Sequence, residues 1–329
     1  MIVAAAESIR VAPLGVRDPL GNPLFEQALA RSYLIFDAYV SGERRVDLHP
    51  ILLSATQHQE AVTCAITTAK LISQIAALAH QDAAEARCYG FSDDVRRLAA
   101  ASWSAHDRYS LYRVDLLWGE DGFRACEINA DCPGGHNEAL GLPLLSQAAG
   151  FWSGVNPTTV VDKLCDALIE LSRGEGAIAL IYATAYAEDL QVCALIHREL
   201  QRRGVAALLA SPTALRRKGK GLCIGKQKVS VLYRYFPTEY MEGQRNLTDI
   251  LEAVATGSVR TLSNFAEIFT QSKLAFARAH VHQTSLSPTE REGLRFVPVT
   301  YAVSDVSEEQ LHAERPKWVL KRALGRVGE

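Results

Sequence analysis

The feature that most constrains this chain is Ala177–Ala183 (AIALIYA), seven residues that are almost uninterruptedly apolar. Such a run reads as a strand buried on both faces, and so demands covering layers on either side. An amphipathic helix over Leu190–Arg203, stopped by Gly204, and a second strand over Val205–Ala210 complete a βαβ unit with short connections. The fold class is therefore α/β. Leu222–Cys223 and Val229–Tyr235 read as a hairpin around Gly225-Lys226, Leu247–Thr256 and Lys273–His280 as helices, and Trp318–Arg322 as a last strand. The N-terminal third reads as helical. Helices are expected over Leu24–Tyr39, over Thr56–Leu78 with Ile66, Leu71, Ile75 and Leu78 as its buried stripe, and over Phe91–Ala105.

Lys and Arg number 35 against 37 Asp and Glu, a net charge of −2, so a non-specific nucleic-acid binder is disfavoured. The one basic run, Arg216–Lys220, has no interleaved aromatics and reads as a solvated loop. The opening residues have no basic n-region, and no stretch has ~18 uninterrupted apolar residues. The seven cysteines are scattered and contain no C-x-x-C, which fits reduced thiols. The expectation is a cytoplasmic protein with no membrane and no nucleic-acid partner.

Chemistry concentrates in one stretch. Leu111–Trp118 and Phe123–Asn129 read as strands around Gly119-Glu120-Asp121-Gly122. With a loop at Gly119–Asp121, Asp115 would pair with Ala125 and Arg113 with Glu127. Arg113, Asp115, Glu127 and Asn129 then share one face, because strand side chains alternate. Asp115, Glu127 and Asn129 are oxygen donors of the kind that hard cations such as Mg²⁺ take, and Arg113 suits a phosphate or carboxylate. The same alternation also describes an edge hairpin with a solvated polar face. Near the C-terminus, Lys321 leads into a loop containing Gly325, Arg326 and Gly328, whose backbone N–H groups could approach phosphates. No P-loop or dinucleotide fingerprint is present.

In order and spacing, R-V-D (Arg113–Asp115), E-I-N-A-D-C-P (Glu127–Pro133), S-K (Ser272-Lys273) and V-L-K-R-x-x-G-R-V-G-E (Val319–Glu329) resemble the circularly permuted ATP-grasp ligases, the glutathionylspermidine synthase-like group. The resemblance runs from about residue 90 to the end. It implies an ATP- and Mg-dependent ligase that joins a carboxylate to an amine on a peptide-like or amino-acid-like substrate. ATP phosphorylates the carboxylate, and the amine displaces phosphate from the acyl phosphate. Asp115, Glu127 and Asn129 would hold Mg²⁺. Arg113 would contact the transferring phosphate or the substrate carboxylate. Lys273, Lys321, Gly325, Arg326 and Gly328 would contact ATP.

The sequence departs from the group after Asp131. The group's Thr-Pro-Thr-Ser stretch is here Cys132–Glu138, which argues against glutathione as substrate. The resemblance also implies nucleotide-binding segments beyond Glu329, so a fragment or truncated relative is expected. His136, Glu138 and Arg234 are candidate substrate contacts, while Cys132 reads as an inert thiol and Cys126 as a core residue.

The expected organisation is a helical region over 1–110, the hairpin and helices of the ATP-grasp part over 111–174, a pre-ATP-grasp-like unit over 175–265, and an incomplete nucleotide-binding part over 266–329. One alternative is a non-catalytic relative that binds a nucleotide or small anion, or serves as an interaction module. A third reading, a Rossmann-like sugar- or nucleotide-modifying enzyme, rests on the βαβ unit alone.

Overall fold

The computed structural model describes residues 10–11, 22–36, 38–103, 110–151 and 159–325. Two short antiparallel ladders, β1 (Arg10–Val11) with β4 (Ile51–Leu52) and β2 (Tyr39–Val40) with β3 (Glu43–Arg44), flank helix α1 (Pro23–Ser32). Asn22 caps α1 and Pro23 opens it, where the missing N–H costs nothing. The long helix α2 (Ala55–Gln81) starts at a capping box between Ser54 and Gln57. Helices α3 (Ala83–Cys88) and α4 (Asp93–Trp103) follow.

The buried stripe of α2 is Cys64, Thr68, Leu71, Ile72, Ile75 and Ala79, at i+3 and i+4 spacing. Ile66, expected in that stripe, is 50% exposed on the other side of the helix. By length and composition alone α2 could cross a bilayer. Here Leu71, Ile72 and Ile75 enter a core shared with Phe123, Ala125 and Ile128 of the next hairpin and with Phe269 and Phe276 further on.

That hairpin is β5 (Arg113–Gly119) and β6 (Gly122–Asn129). Helices α5 (His136–Ala148) and α6 (Val160–Ser172) lead to the main sheet. The sequence also predicts a helix over Pro157–Ser172, headed by Asn156-Pro157, and that start lies outside the described residues. The sheet contains β7 (Ala177–Tyr182), β8 (Ala207–Ala210), β9 (Arg216–Lys218), β10 (Gly221–Ile224), β11 (Gln227–Tyr235) and β12 (Arg260–Leu262). Its order is β8-β7-β11-β10-β9, with β12 also on β11. Strands β8, β7, β11 and β12 run parallel, and the β9–β10–β11 meander is antiparallel. Helix α7 (Ala187–Arg202), closed by Gly204 at φ +71°, and α6 cover one face. Helix α8 (Leu247–Ala255) covers the other, so the AIALIYA strand is buried on both sides as its composition requires.

After β12 come α9 (Ile268–Gln271), α10 (Leu274–Val281), α11 (Pro288–Leu294) and α12 (Glu308–Ala313). Three expectations change, the first being the helix expected over Leu24–Tyr39: α1 ends at Ser32, and Tyr39 belongs to β2. The basic run is not a loop: Arg216–Lys218 forms strand β9 against β10, and Arg217 pairs with Glu252. Strand β12 is too short to leave a pattern in the sequence. Trp318–Arg322 forms no strand, because no described neighbour offers it a ladder, and Val319 and Leu320 stand 79% and 78% exposed. Strand propensity reflects a packing partner more than the residue itself.

Candidate functional site

The hairpin departs from its expected register. Gly119 pairs with Gly122, so the loop is Glu120-Asp121. That register, continued, would set Asp115 against Cys126 and put Glu127 on the opposite face. A bulge between Asp115 and Leu116 prevents it: Leu116 pairs with Ala125, Asp115 with Glu127 and Arg113 with Asn129. Cys126 is the extra residue, and its thiol donates to the Asp115 carbonyl at 3.3 Å. It is half-buried at the bulge and not a core side chain. The reason is in the spacing. Phe123, Ala125 and Ile128 are all buried, two and then three residues apart, and only an inserted residue reconciles that with a single inner face.

The outer face then carries Arg113, Asp115, Glu127 and Asn129 together. Arg113 donates to Asp115 through Nε at 2.8 Å and Nη2 at 3.2 Å. In one amide orientation Asn129 donates to Asp115 Oδ2 at 3.3 Å and accepts from Gln271 Nε2 at 3.5 Å; in the other, which makes the shorter bonds, it accepts from Arg113 Nη2 at 2.9 Å and donates to Glu127 Oε1 at 3.1 Å. Lys273, at the start of α10, reaches the same face: its Nζ lies 3.2 Å from Glu127 Oε2 and donates to the Gly325 carbonyl at 3.0 Å. Its backbone N–H donates to the Ala323 carbonyl at 2.9 Å. Lys321 is exposed near Cys126, whose thiol is pushed up by burial against the pull of that charge. Arg326 and Gly328 lie outside the described residues.

Gln271 fixes the far end of β6. Its side-chain oxygen accepts from the backbone N–H groups of Ala130 at 2.8 Å and Asp131 at 3.1 Å. The turn that follows packs on the carboxyl end of β11. The Asp131 carboxylate is buried with Arg234 and accepts from the Thr238 N–H at 2.8 Å and hydroxyl at 2.6 Å. Arg234 also donates to the Phe236 carbonyl at 2.7 Å and lies 4.5 Å over the Phe265 ring. Its guanidinium also lies 3.6 Å from the Cys132 sulfur, a basic neighbour that the local sequence does not reveal. Gly134 fits beneath the Tyr235 hydroxyl, where a Cβ would overlap it.

His136 opens α5 after Gly135, which sits at φ +87°. Its Nε2 is 3.2 Å from the Tyr233 hydroxyl. Burial and then the Arg113 charge lower its pKa to about 4, so the ring is neutral.

The structure thus gathers Arg113, Asp115, Glu127, Asn129, Lys273 and Gly325 on one face. Each of the three candidate substrate residues is engaged by partners within the protein. Arg234, expected to meet a substrate carboxylate, has both terminal nitrogens bonded inside the core, while its buried Nε has no partner among the described residues. His136 is buried against Tyr233. Glu138 pairs with Arg45 at 2.7 Å. Asp131, Gln271 and Thr238 complete the support and were not singled out from the sequence. The polar spacing at Asp131 was visible, but its partners are remote in the chain.

Sheet topology adds a second positioning argument. The connection from β7 leads to β8 on one side, and that from β11 leads to β12 on the other. The order therefore reverses between β7 and β11, the kind of place where open α/β sheets bind ligands outside the carboxyl ends of their strands. The Asp131–His136 turn packs against that end of β11. Among the described residues, no three or more His, Cys, Asp or Glu side chains gather as a metal centre. This face offers two carboxylates and one amide.

No sequence family matches the chain, and no curated protein matches it. Among solved structures, the fold is similar to a glutathione synthetase-like effector, GSS30, from Globodera pallida, in its apo form. The TM-score is 0.56 at 15% identity, covering 86% of this chain and 70% of that one. The likeness is one of fold, and a mixed α/β architecture is common to both.

Proposed function

We propose that this chain carries the metal- and phosphate-binding face of an ATP-dependent carboxylate–amine ligase of the permuted ATP-grasp type, acting on a peptide-like or amino-acid-like substrate. The observation that carries the reading is the single hairpin face with Arg113, Asp115, Glu127 and Asn129, met by Lys273 from a distant segment. The glutathione synthetase-like fold of the structural neighbour supports it.

The donor set fits Mg²⁺: two carboxylates stand opposite each other across paired strands, beside an amide oxygen, all hard oxygen donors. Asp115, Glu127 and Asn129 would hold the ion, which when bound supplies charge neutralisation for the phosphates. Arg113 would bind the transferring phosphoryl group or the carboxylate it reaches, with a fork geometry suited to either. Lys273 and Lys321 would bind the remaining phosphate oxygens. Opposed anions would be brought together by these cations, which lowers the barrier to attack electrostatically.

A second reading, ligand binding without turnover, is favoured by one observation: both carboxylates are already paired to cations of the chain itself. ADP release separates the two. With Mg²⁺, ATP and mixed peptide-like carboxylates and primary amines, the ligase reading expects ADP release that depends on both organic substrates. Asp115→Asn should lower it at least a hundredfold with an unchanged melting temperature. Turnover that survives Asp115→Asn would overturn the assignment, and binding of ATP with no ADP release under any pairing would favour the second reading.

A further inference from the structure

We infer that Lys273 is a latch that closes the acidic hairpin face to a free divalent cation and opens it to a cation–polyphosphate complex. The inference rests on the proposed assignment of this face to a cation and a nucleotide. Its physical basis is charge balance. Asp115 and Glu127 are opposed by Arg113 and Lys273, and the four charges cancel. The Lys273–Glu127 pair has side-chain exposures of only 13% and 22%, so water screens it less than an ordinary surface pair.

A lone divalent cation must displace Lys273 from Glu127 and Arg113 from Asp115, leaving two unpaired cations beside a doubly positive ion. A lone polyphosphate attracts those same cations but faces two carboxylates. Arriving together, the two ligands exchange partners with the chain: the metal takes the carboxylates, and the released cations take the phosphates. Each ligand therefore strengthens the other, by the same factor in both directions.

Lys273 is built for two positions. Its backbone is held by the Ala323 carbonyl, so the ammonium can leave Glu127 without the segment leaving the site. Its Nζ also donates to the Gly325 carbonyl, so release from Glu127 coincides with a change at the turn that adjoins Lys321.

The experiment uses the 329-residue protein and three probes: Mn²⁺ alone, ATP with a chelator, and the preformed Mn·ATP complex. Binding is followed by Mn²⁺ electron paramagnetic resonance and by calorimetry. The latch predicts that Mn·ATP binds at least tenfold more tightly than either component alone. Lys273→Met should tighten binding of Mn²⁺ alone at least tenfold, because the competing cation is gone. Lys273→Arg should keep it weak. Lys321→Met, which removes a nearby charge outside the pair, should change it less than threefold. Far-ultraviolet circular dichroism and the melting temperature establish that each variant is folded. If Lys273→Met is unfolded, wild type against Lys273→Arg and Lys321→Met with the three probes still decides.

The latch is overturned if Mn²⁺ alone binds the wild type as tightly as Mn·ATP, or if a folded Lys273→Met matches the wild type or only matches Lys321→Met. In those cases the proposed function stands, because the ligands still bind. If none of the three probes binds the wild type, the proposed function itself fails.

Discussion

Replacing Arg234 by Met tests whether the turn after β6 is held by a buried ion pair. Arg234 and Asp131 have side-chain exposures of 2% and 3%, so neither charge can be solvated once its partner is removed. In Arg234→Met the Asp131 carboxylate keeps its two Thr238 donors but no counter-charge, and the Phe236 carbonyl loses its donor. Breaking a buried pair from one side costs about 3–5 kcal/mol. With an m-value of about 3 kcal/mol/M for a chain of this size, a loss of ~4 kcal/mol lowers the urea midpoint by ~1.3 M. Tryptophan fluorescence and far-ultraviolet circular dichroism should report it together. Asp131→Asn should be destabilising by a similar amount, since it strands the guanidinium. The double variant Asp131→Asn/Arg234→Met removes both charges and should be more stable than the two single losses predict by ~2 kcal/mol or more. A midpoint shift below ~0.3 M in Arg234→Met, or strict additivity in the cycle, would refute the argument.

Two further outcomes follow from the same neighbourhood. His136 has its pKa lowered to about 4 in the fold against ~6.5 when unfolded, by burial first and then by Arg113. Its depressed value contributes stability that is fully present above about pH 6.5 and is lost as pH falls through about 4. The wild type should therefore lose up to about 3 kcal/mol more than His136→Gln over that window, and parallel stability curves would contradict it. Gln271→Ala leaves the buried N–H groups of Ala130 and Asp131 without an acceptor, at a cost of about 2 kcal/mol, and Gln271→Glu should recover most of it in thermal melts.

How much of this was legible in the sequence depends on how local the cause is. The AIALIYA strand and the βαβ unit were readable because burial on both faces leaves a composition that needs no partner to recognise. The polar alternation of Arg113, Asp115, Glu127 and Asn129 was readable too, although the register was not. Phe123, Ala125 and Ile128 carried the signal for the bulge, which a strict period of two overlooks. The stripe of α2 was misphased at Ile66 because an Ala-rich helix offers several equivalent faces. The pairing of Lys273 with Glu127 and of Arg234 with Asp131 joins segments far apart in the chain, and no local pattern encodes such a meeting. Arg234 looked like a solvent-facing contact because a strand-end arginine is usually open to solvent, and only the packed turn shows its terminal nitrogens held by Asp131 and the Phe236 carbonyl. Trp318–Arg322 fails to form a strand for the complementary reason: its composition is right, but no described strand lies beside it.

The hairpin has only two strands, and a ribbon of that size holds little shape of its own in water. Its inner face is set by α2, through Leu71, Ile72 and Ile75 against Phe123, Ala125 and Ile128. On the function proposed above, affinity on the outer face would therefore depend on the helix packed against the inner one. Sequence drift in that helix, even between residues of equal hydrophobicity, would register as altered ligand preference well before it registered as misfolding. Two descendants of this chain could keep every polar residue of the face and still differ in what they bind, with the difference recorded in α2.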